Sequence, residues 1–183
     1  MSYLVSKTWC TKKTLPEVLF YKRRINKSLG LKKLEYVAFS TKRPKIWGEL
    51  ILDKLTTQYR EDYTGPTLAI DLIKSKKTNQ GLGTAMINFA KNYSKQNDCN
   101  GYLILRADAS LSPQRVPQIF YRKQGFSTLD KKTDAKMDKF IKNGSNATIK
   151  DFVVNIMHYP PKQDKQRLSL LEKIQKMLEI FHF

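Results

Sequence analysis

Gln80-Gly81-Leu82-Gly83-Thr84 is the stretch of this chain best suited to chemistry. It follows an apolar run, Pro66 to Ile73, and leads into a helical pattern from Gly83 to about Ser94. Glycines between a strand and a helix let the backbone approach a ligand closely. The first turn of the new helix leaves several N–H groups without intrahelical acceptors, and the positive end of its dipole points the same way. Such a turn is a candidate cradle for phosphate or pyrophosphate. A plain connecting turn is the alternative that the same residues allow.

Two nucleotide motifs are excluded. A P-loop places Lys-Ser or Lys-Thr directly after its last glycine, and Thr84-Ala85 stands there instead. A dinucleotide fingerprint needs a third glycine and an acidic residue closing a strand about twenty positions on. The third glycine is missing, and Asp98 lies in a polar stretch before the next strand.

Further along, the chain reads Val116-Pro117-Gln118-Ile119-Phe120-Tyr121-Arg122-Lys123-Gln124-Gly125-Phe126. Together, the two stretches resemble the GNAT family of N-acetyltransferases. In that family a loop of the form Arg/Gln-x-x-Gly-x-Gly/Ala follows the fourth strand and binds the pyrophosphate of acetyl-coenzyme A. A later helix ending in Phe/Leu-Tyr-x-x-x-Gly-Phe runs into the next strand. The resemblance covers residues 66–127, with the strand Tyr102 to Leu105 between the motifs. It implies an α/β fold, a GNAT-like mixed central sheet flanked by helices, with acetyl-coenzyme A as cosubstrate, no metal, and direct acetyl transfer to an amine. There are departures. Thr78 occupies the loop's first Arg/Gln position, with Lys76, Lys77 and Gln80 close by, and the Asn that opens the later helix in relatives has Gln114 as its nearest counterpart.

Carried over by position, the resemblance implies that Asn79, Gln80, Gly81, Leu82, Gly83 and Thr84 hold the pyrophosphate. Leu72, Ile73 and Lys74 then pair with the pantetheine amides as an added strand would, and Lys77 and Arg122 are in line to reach phosphates. Tyr121 matches the family's general acid, because a phenol with a pKa of ~10 can hydrogen-bond and protonate a departing thiolate. The base is expected to be a carboxylate on the central strands. Alternation puts Thr67, Ala69, Asp71 and Ile73 on one face of the expected fourth strand, so Asp71 is the acid there, and Glu49 on a neighbouring strand is the second candidate. Burial between strands would raise the pKa of either one towards that of a working base. Core packing for Tyr121 and lysine salt bridges for the carboxylates are the structural alternatives. His158 and His182 are too isolated for a dyad or metal site, and Cys10 and Cys99 form no Cys-x-x-Cys.

The chain has 183 residues, is 40% hydrophobic and carries a formal charge of +18. The length suits one domain with a real core. Residues 1–47 hold twelve Lys/Arg against Glu17 and Glu35, with dense patches at Lys22-Arg23-Arg24 and Lys32-Lys33. Nucleic acid is therefore a candidate partner beside a small-molecule or protein amine acceptor, and a solvated lysine-rich surface is the bland alternative. No run approaches the ~20 apolar residues of a membrane span, and Met1 to Lys7 lacks a signal-peptide core, so a cytoplasmic protein with no membrane association is expected.

Elements must position these residues. Tyr3 to Lys7 reads as a strand. Thr14-Leu15-Pro16-Glu17 reads as a capping box opening a helix that carries Leu15, Val18, Leu19 and Ile25 and stops at Gly30. Leu34 to Ser40 and Ile46 to Leu52 read as an antiparallel strand pair. Further strands are expected after Gly125 and over Asp151 to Met157, while Asp130 to Asn146 reads as polar and irregular. The expected division is a GNAT-like domain over 1–160 and an amphipathic helix over 161–183. The stripe of that helix, Leu168 to Phe181, would pack on the domain or on a second copy, giving a monomer or a homodimer. The expected function is an N-acetyltransferase for an unidentified amine. The alternatives are a non-catalytic coenzyme- or polyanion-binding module, and a transferase acting on aminoacyl-tRNA.

Overall fold

The computed structural model describes residues 3–8, 18–26, 33–40, 46–55, 63, 65–76, 79–109, 116–148, 150–152 and 154–160. The residues expected to cap a helix at Thr14 to Glu17, Lys77, Thr78, Gln114 and the expected helix over 161–183 lie outside that set.

Seven strands form one mixed sheet in sequence order: β1 (Tyr3–Thr8), β2 (Val18–Asn26), β3 (Lys33–Ser40), β4 (Ile46–Leu55), β5 (Thr67–Ser75), β6 (Leu103–Asp108) and β7 (Val154–Tyr159). All neighbouring strands are antiparallel except β5 and β6, which are parallel. A parallel pair needs a crossover, and α1 (Leu82–Gln96) supplies it. The helices α2 (Pro117–Lys123) and α3 (Lys131–Asn143) come between β6 and β7. The observed class is the expected α/β sheet flanked by helices. Among the described residues no helix is long and apolar enough to cross a membrane.

Three expectations are corrected. Residues expected in the first helix form β2 instead, paired with β1 on one side and β3 on the other. Leu15, Val18, Leu19 and Ile25 fit a helical stripe, but Val18-Leu19-Phe20-Tyr21 is also a β-branched and aromatic run, and two strand partners outweigh a local capping signal. Phe20 shows the gain: it is fully buried, and its ring stacks on Phe89 of α1 at 4.4 Å between centroids. Residues 131–143, expected to be irregular, form α3. Asp130 caps it by accepting from the Lys132 and Thr133 amides at 3.0 and 3.1 Å, and Gly144 ends it at φ 63°. After Gly125, Ser127 makes a single bridge to His158 where a strand was expected.

The core sits between the sheet and α1. Leu82, Ala85, Met86, Phe89, Ala90 and Tyr93 recur at helical spacing along α1 and pack against Tyr36, Leu50, Leu52, Leu68, Ile70, Leu103 and Leu105. Each fully buried large side chain there contributes about 1.5–3 kcal/mol over its exposed state. Gly48 on β4 lets the helix settle, because a Cβ there would lie 2.7 Å from the Lys74 carbonyl oxygen and 3.3 Å from both Leu82 Cδ2 and Met86 Cε. At its far end α1 stops where Asn97 Nδ2 donates to the Tyr93 carbonyl at 2.8 Å.

Candidate active site

The sheet parts in its middle. β5 and β6 share only three rungs, Leu68↔Leu103, Ala69↔Ile104 and Ile70↔Leu105. Beyond them β5 runs on beside β4 as far as Ser75, and β6 runs on beside β7 as far as Asp108. The parting coincides with a bulge. Ile51 faces Leu72 and Leu52 faces Ile70, which makes Asp71 the extra residue in β5. A bulge bends its strand and sharpens the local twist, and here it swings β5 away from β6.

The bulge also overturns the expected alternation. Leu68 and Ile70 pack with the core before it and Ile73 after it, so the inward parity switches from even to odd. Thr67, Ala69, Asp71 and Ile73 therefore do not share a face. Asp71, Leu72 and Lys74 are exposed, while Ile73 and Ser75 are half-buried. From Asp71 onward β5 pairs only with β4 among the described strands, so its other edge faces the gap. An extended chain of amides can add to such an edge by main-chain hydrogen bonds.

The glycine turn lies at the same end. Asn79 has φ 58°, and Gly81, the residue before α1, has φ 85°. That left-handed step needs no side chain to be tolerated, which accounts for Gly81. The first helical bond runs from the Ala85 amide to the Gly81 carbonyl at 2.9 Å. No side chain caps α1, and its first turn holds no acid. The amides of Leu82, Gly83 and Thr84 therefore lie at the positive end of a 15-residue helix, a geometry that favours an anion.

α2 brings the second motif to this turn. A Cβ at Gly83 would lie 3.0 Å from Phe120 Cζ. Tyr121 follows, its ring edge-on to Phe120 at 5.2 Å and to Phe126 at 5.9 Å. Burial pushes its phenol up to about 12. Gly125 at φ 87° closes the helix: its amide donates to Arg122 O at 2.9 Å, and that of Phe126 donates to Tyr121 O at 3.1 Å. The Gly-Phe of the sequence motif is thus the C-terminal cap of the helix carrying Tyr121.

Three further contacts hold α2. Gln118 Nε2 donates to Ala107 O on β6 at 3.1 Å. Lys91 Nζ on α1 donates to Gln124 O at 2.7 Å and lies 3.9 Å from the centre of the Tyr159 ring. Arg122 grips α3 as a fork, with Nε and Nη2 on the two oxygens of Asp138 at 2.8 and 2.7 Å and Nη1 on Asp134 and Phe126 O, both at 3.2 Å. Arg122 had been expected to reach coenzyme phosphates. Its guanidinium is instead committed to α3, with the Asp138 hydrogen bond foremost in holding it charged.

Of the two candidate bases, Asp71 stands just past the last rung and is exposed rather than buried between strands. Glu49 is half-buried and in register with Lys74. Gly48 and Leu50 face α1, so Glu49 points to the other face of β4. Sequence reasoning missed Gly48, Lys91 and Gln118. Only Gly48 left a signal, an isolated glycine in a strand pattern, which marks a close approach. Among the described residues no group of three or more His, Cys, Asp or Glu is placed to hold a metal ion.

No family model and no curated protein matches the chain. Solved structures do show similarity. One is described as histone acetyltransferase HPA2 and related acetyltransferase from Corynebacterium glutamicum, at 15% identity and a TM-score of 0.41 over 73% of this chain and 67% of that one. Another is an acyl-CoA N-acyltransferase from Pseudomonas aeruginosa, at 16% identity and 0.41 over 69% and 68%. A third is Escherichia coli ElaA, at 12% identity and 0.43 over 69% and 67%.

Proposed function

We propose that this chain is an N-acetyltransferase that moves an acetyl group from acetyl-coenzyme A to an amine. The observation that carries the reading is the parting of β5 and β6 at the Asp71 bulge, with the open amides of α1 at the same end. Ligands of open α/β sheets bind outside the carboxyl ends of parallel strands, and this end combines an unladdered edge for amides with a helix terminus for phosphates. The edge at Leu72, Ile73 and Lys74 would take the pantetheine arm, and the turn from Asn79 to Thr84 the pyrophosphate. The thioester supplies an activated acyl group.

The chain's own residues then have separate tasks. A deprotonated amine forms the new N–C bond as the C–S bond breaks. Asp71, next to the last rung, is the first candidate carboxylate to take the amine's proton, with Glu49 second. Tyr121 donates a hydrogen bond to the departing sulfur. Burial raises the Tyr121 phenol and would raise a thiol beside it in the same direction, so the phenol can share its proton with the departing sulfur. Tyr121 therefore stabilises the developing charge and protonates the sulfur as it leaves.

A second reading, a coenzyme-binding module without turnover, is favoured by one observation: Asp71 is exposed, where a base is more often desolvated. Calorimetry with acetyl-coenzyme A, then a turnover screen over polyamines, amino acids, antibiotics, peptides and charged tRNA, separates the two. Binding with turnover on one acceptor class supports the transferase. Binding without turnover on any acceptor selects the module, and no binding removes both.

A further inference from the structure

We propose that the outer face of α3 is a docking ridge for a nucleic-acid phosphate backbone. Lys131, Lys132, Lys136, Lys139 and Lys142 are all exposed. At 3.6 residues per turn they fall within an arc of about 140°. The helix has two acids, Asp134 and Asp138, and both pair with Arg122, at 3.2 and 2.7 Å. Its apolar residues Met137, Phe140 and Ile141 lie on the remaining side, with Met137 fully buried in the core. The carboxylates that would otherwise neutralise the ridge are thus spent on holding the helix to α2.

Lys136 is anchored to Asp151 at 3.2 Å. Lys132, Lys139 and Lys142 make no ion pair among the described residues, although the charge of Lys132 acts on the exposed cap carboxylate of Asp130. They span about 15 Å at 1.5 Å per residue, roughly four steps of a nucleic-acid strand at 3.4 Å each. The choice of partner follows from what the arc lacks. Protein interfaces are built around aromatic and apolar anchors and are depleted in lysine. This arc offers only Ala135 and Asn143 between its lysines. Point charges without apolar anchors suit phosphates, which position a strand without reading its bases. The overall charge of +18 would draw such a strand in from a distance. None of this depends on acetyl transfer, and its failure leaves that reading untouched.

The test is a salt series of fluorescence-anisotropy titrations with unfractionated tRNA, a 20-base-pair DNA duplex and polyglutamate as probes. The intact chain should bind tRNA or duplex with log affinity falling linearly in log salt. The triple variant Lys132→Glu, Lys139→Glu, Lys142→Glu should flatten that slope by about 2–3, at 0.7–0.9 per phosphate contact. The triple Lys→Gln version should flatten it in the same direction and covers the case in which charge reversal impairs folding. Tighter binding of tRNA or of duplex identifies which nucleic acid supplies the backbone. Unchanged slopes in both variants would overturn the ridge and place any binding among the basic residues of 1–47. Polyglutamate held as tightly as the nucleic acids would overturn it in favour of an acidic protein.

Discussion

The Phe120 ring rests on the first turn of α1 at Gly83, where a Cβ would come within 3.0 Å of it. The two motifs that are separate in the sequence are therefore one contact in space. The glycine serves the aromatic ring as much as any anion, and this changes how a substitution there must be read.

Gly83→Asp places a carboxylate at the proposed pyrophosphate site and also pushes on Phe120. In a Phe120→Ala background the push is gone and only the charge remains. Calorimetry with acetyl-coenzyme A should show a loss of at least ~2 kcal/mol for Gly83→Asp in both backgrounds, the scale of an uncompensated charge. Recovery of affinity in the Phe120→Ala background would make the effect steric and remove the anion from that turn.

Tyr121→Phe deletes one hydroxyl and keeps the ring contacts with Phe120 and Phe126. On an acceptor found by the screen, kcat should fall by about 10²–10³, the range for one lost donor at a developing anion, with coenzyme affinity unchanged. Because burial holds the phenol at about 12, its ionisation should produce no falling alkaline limb below pH 10. An alkaline limb near pH 8–9 that disappears in Tyr121→Phe would contradict this role.

Asp71→Asn and Glu49→Gln distinguish the two bases. If Asp71 takes the proton, Asp71→Asn should lower kcat by about 10²–10⁴, most severely at low pH, while Glu49→Gln stays within a few-fold of the parent. The reverse pattern would move the base across to the other face of β4.

The clamp between Arg122 and α3 should show in acid. The Arg122 hydrogen bond holds the Asp138 carboxyl below its usual range. A depressed folded-state pKa gives stability that is present above the unfolded value, ~3.9, and is lost as pH falls through the lower folded value. Melting temperatures of the parent should drop below about pH 4, and Asp138→Asn should flatten that part of the curve. The carboxylate is half exposed, so the change will be modest. Parallel curves for parent and variant would mean that the fork holds α3 without contributing to its acid stability.

Much of the fold could be read from residue patterns, and the failures share a cause. Strands β3, β4 and β5 announce themselves by apolar runs, α1 by helical spacing after its glycines, and α2 by proline at one end and Gly125 at the other. β2 was obscured because Leu15, Val18, Leu19 and Ile25 satisfy a helical stripe, and only its two strand partners decide the matter. α3 was obscured by its five lysines, although Asp130 and Gly144 bracket it and Met137, Phe140 and Ile141 recur at helical spacing. The glycine turn and Tyr121 were placed by local motif. The Asp71 bulge was not, because register is a property of two strands and no single segment records it. The same holds for Arg122, whose partners lie on a helix that had not been expected.

The three rungs from Leu68 to Ile70 join two halves of the sheet along a short seam, and α1 packs across both. β1 to β5 belong to one half, and β6 and β7 to the other. On the function proposed above, a chain built this way can change the surfaces that would meet an acceptor while the proposed acyl-donor site keeps its shape.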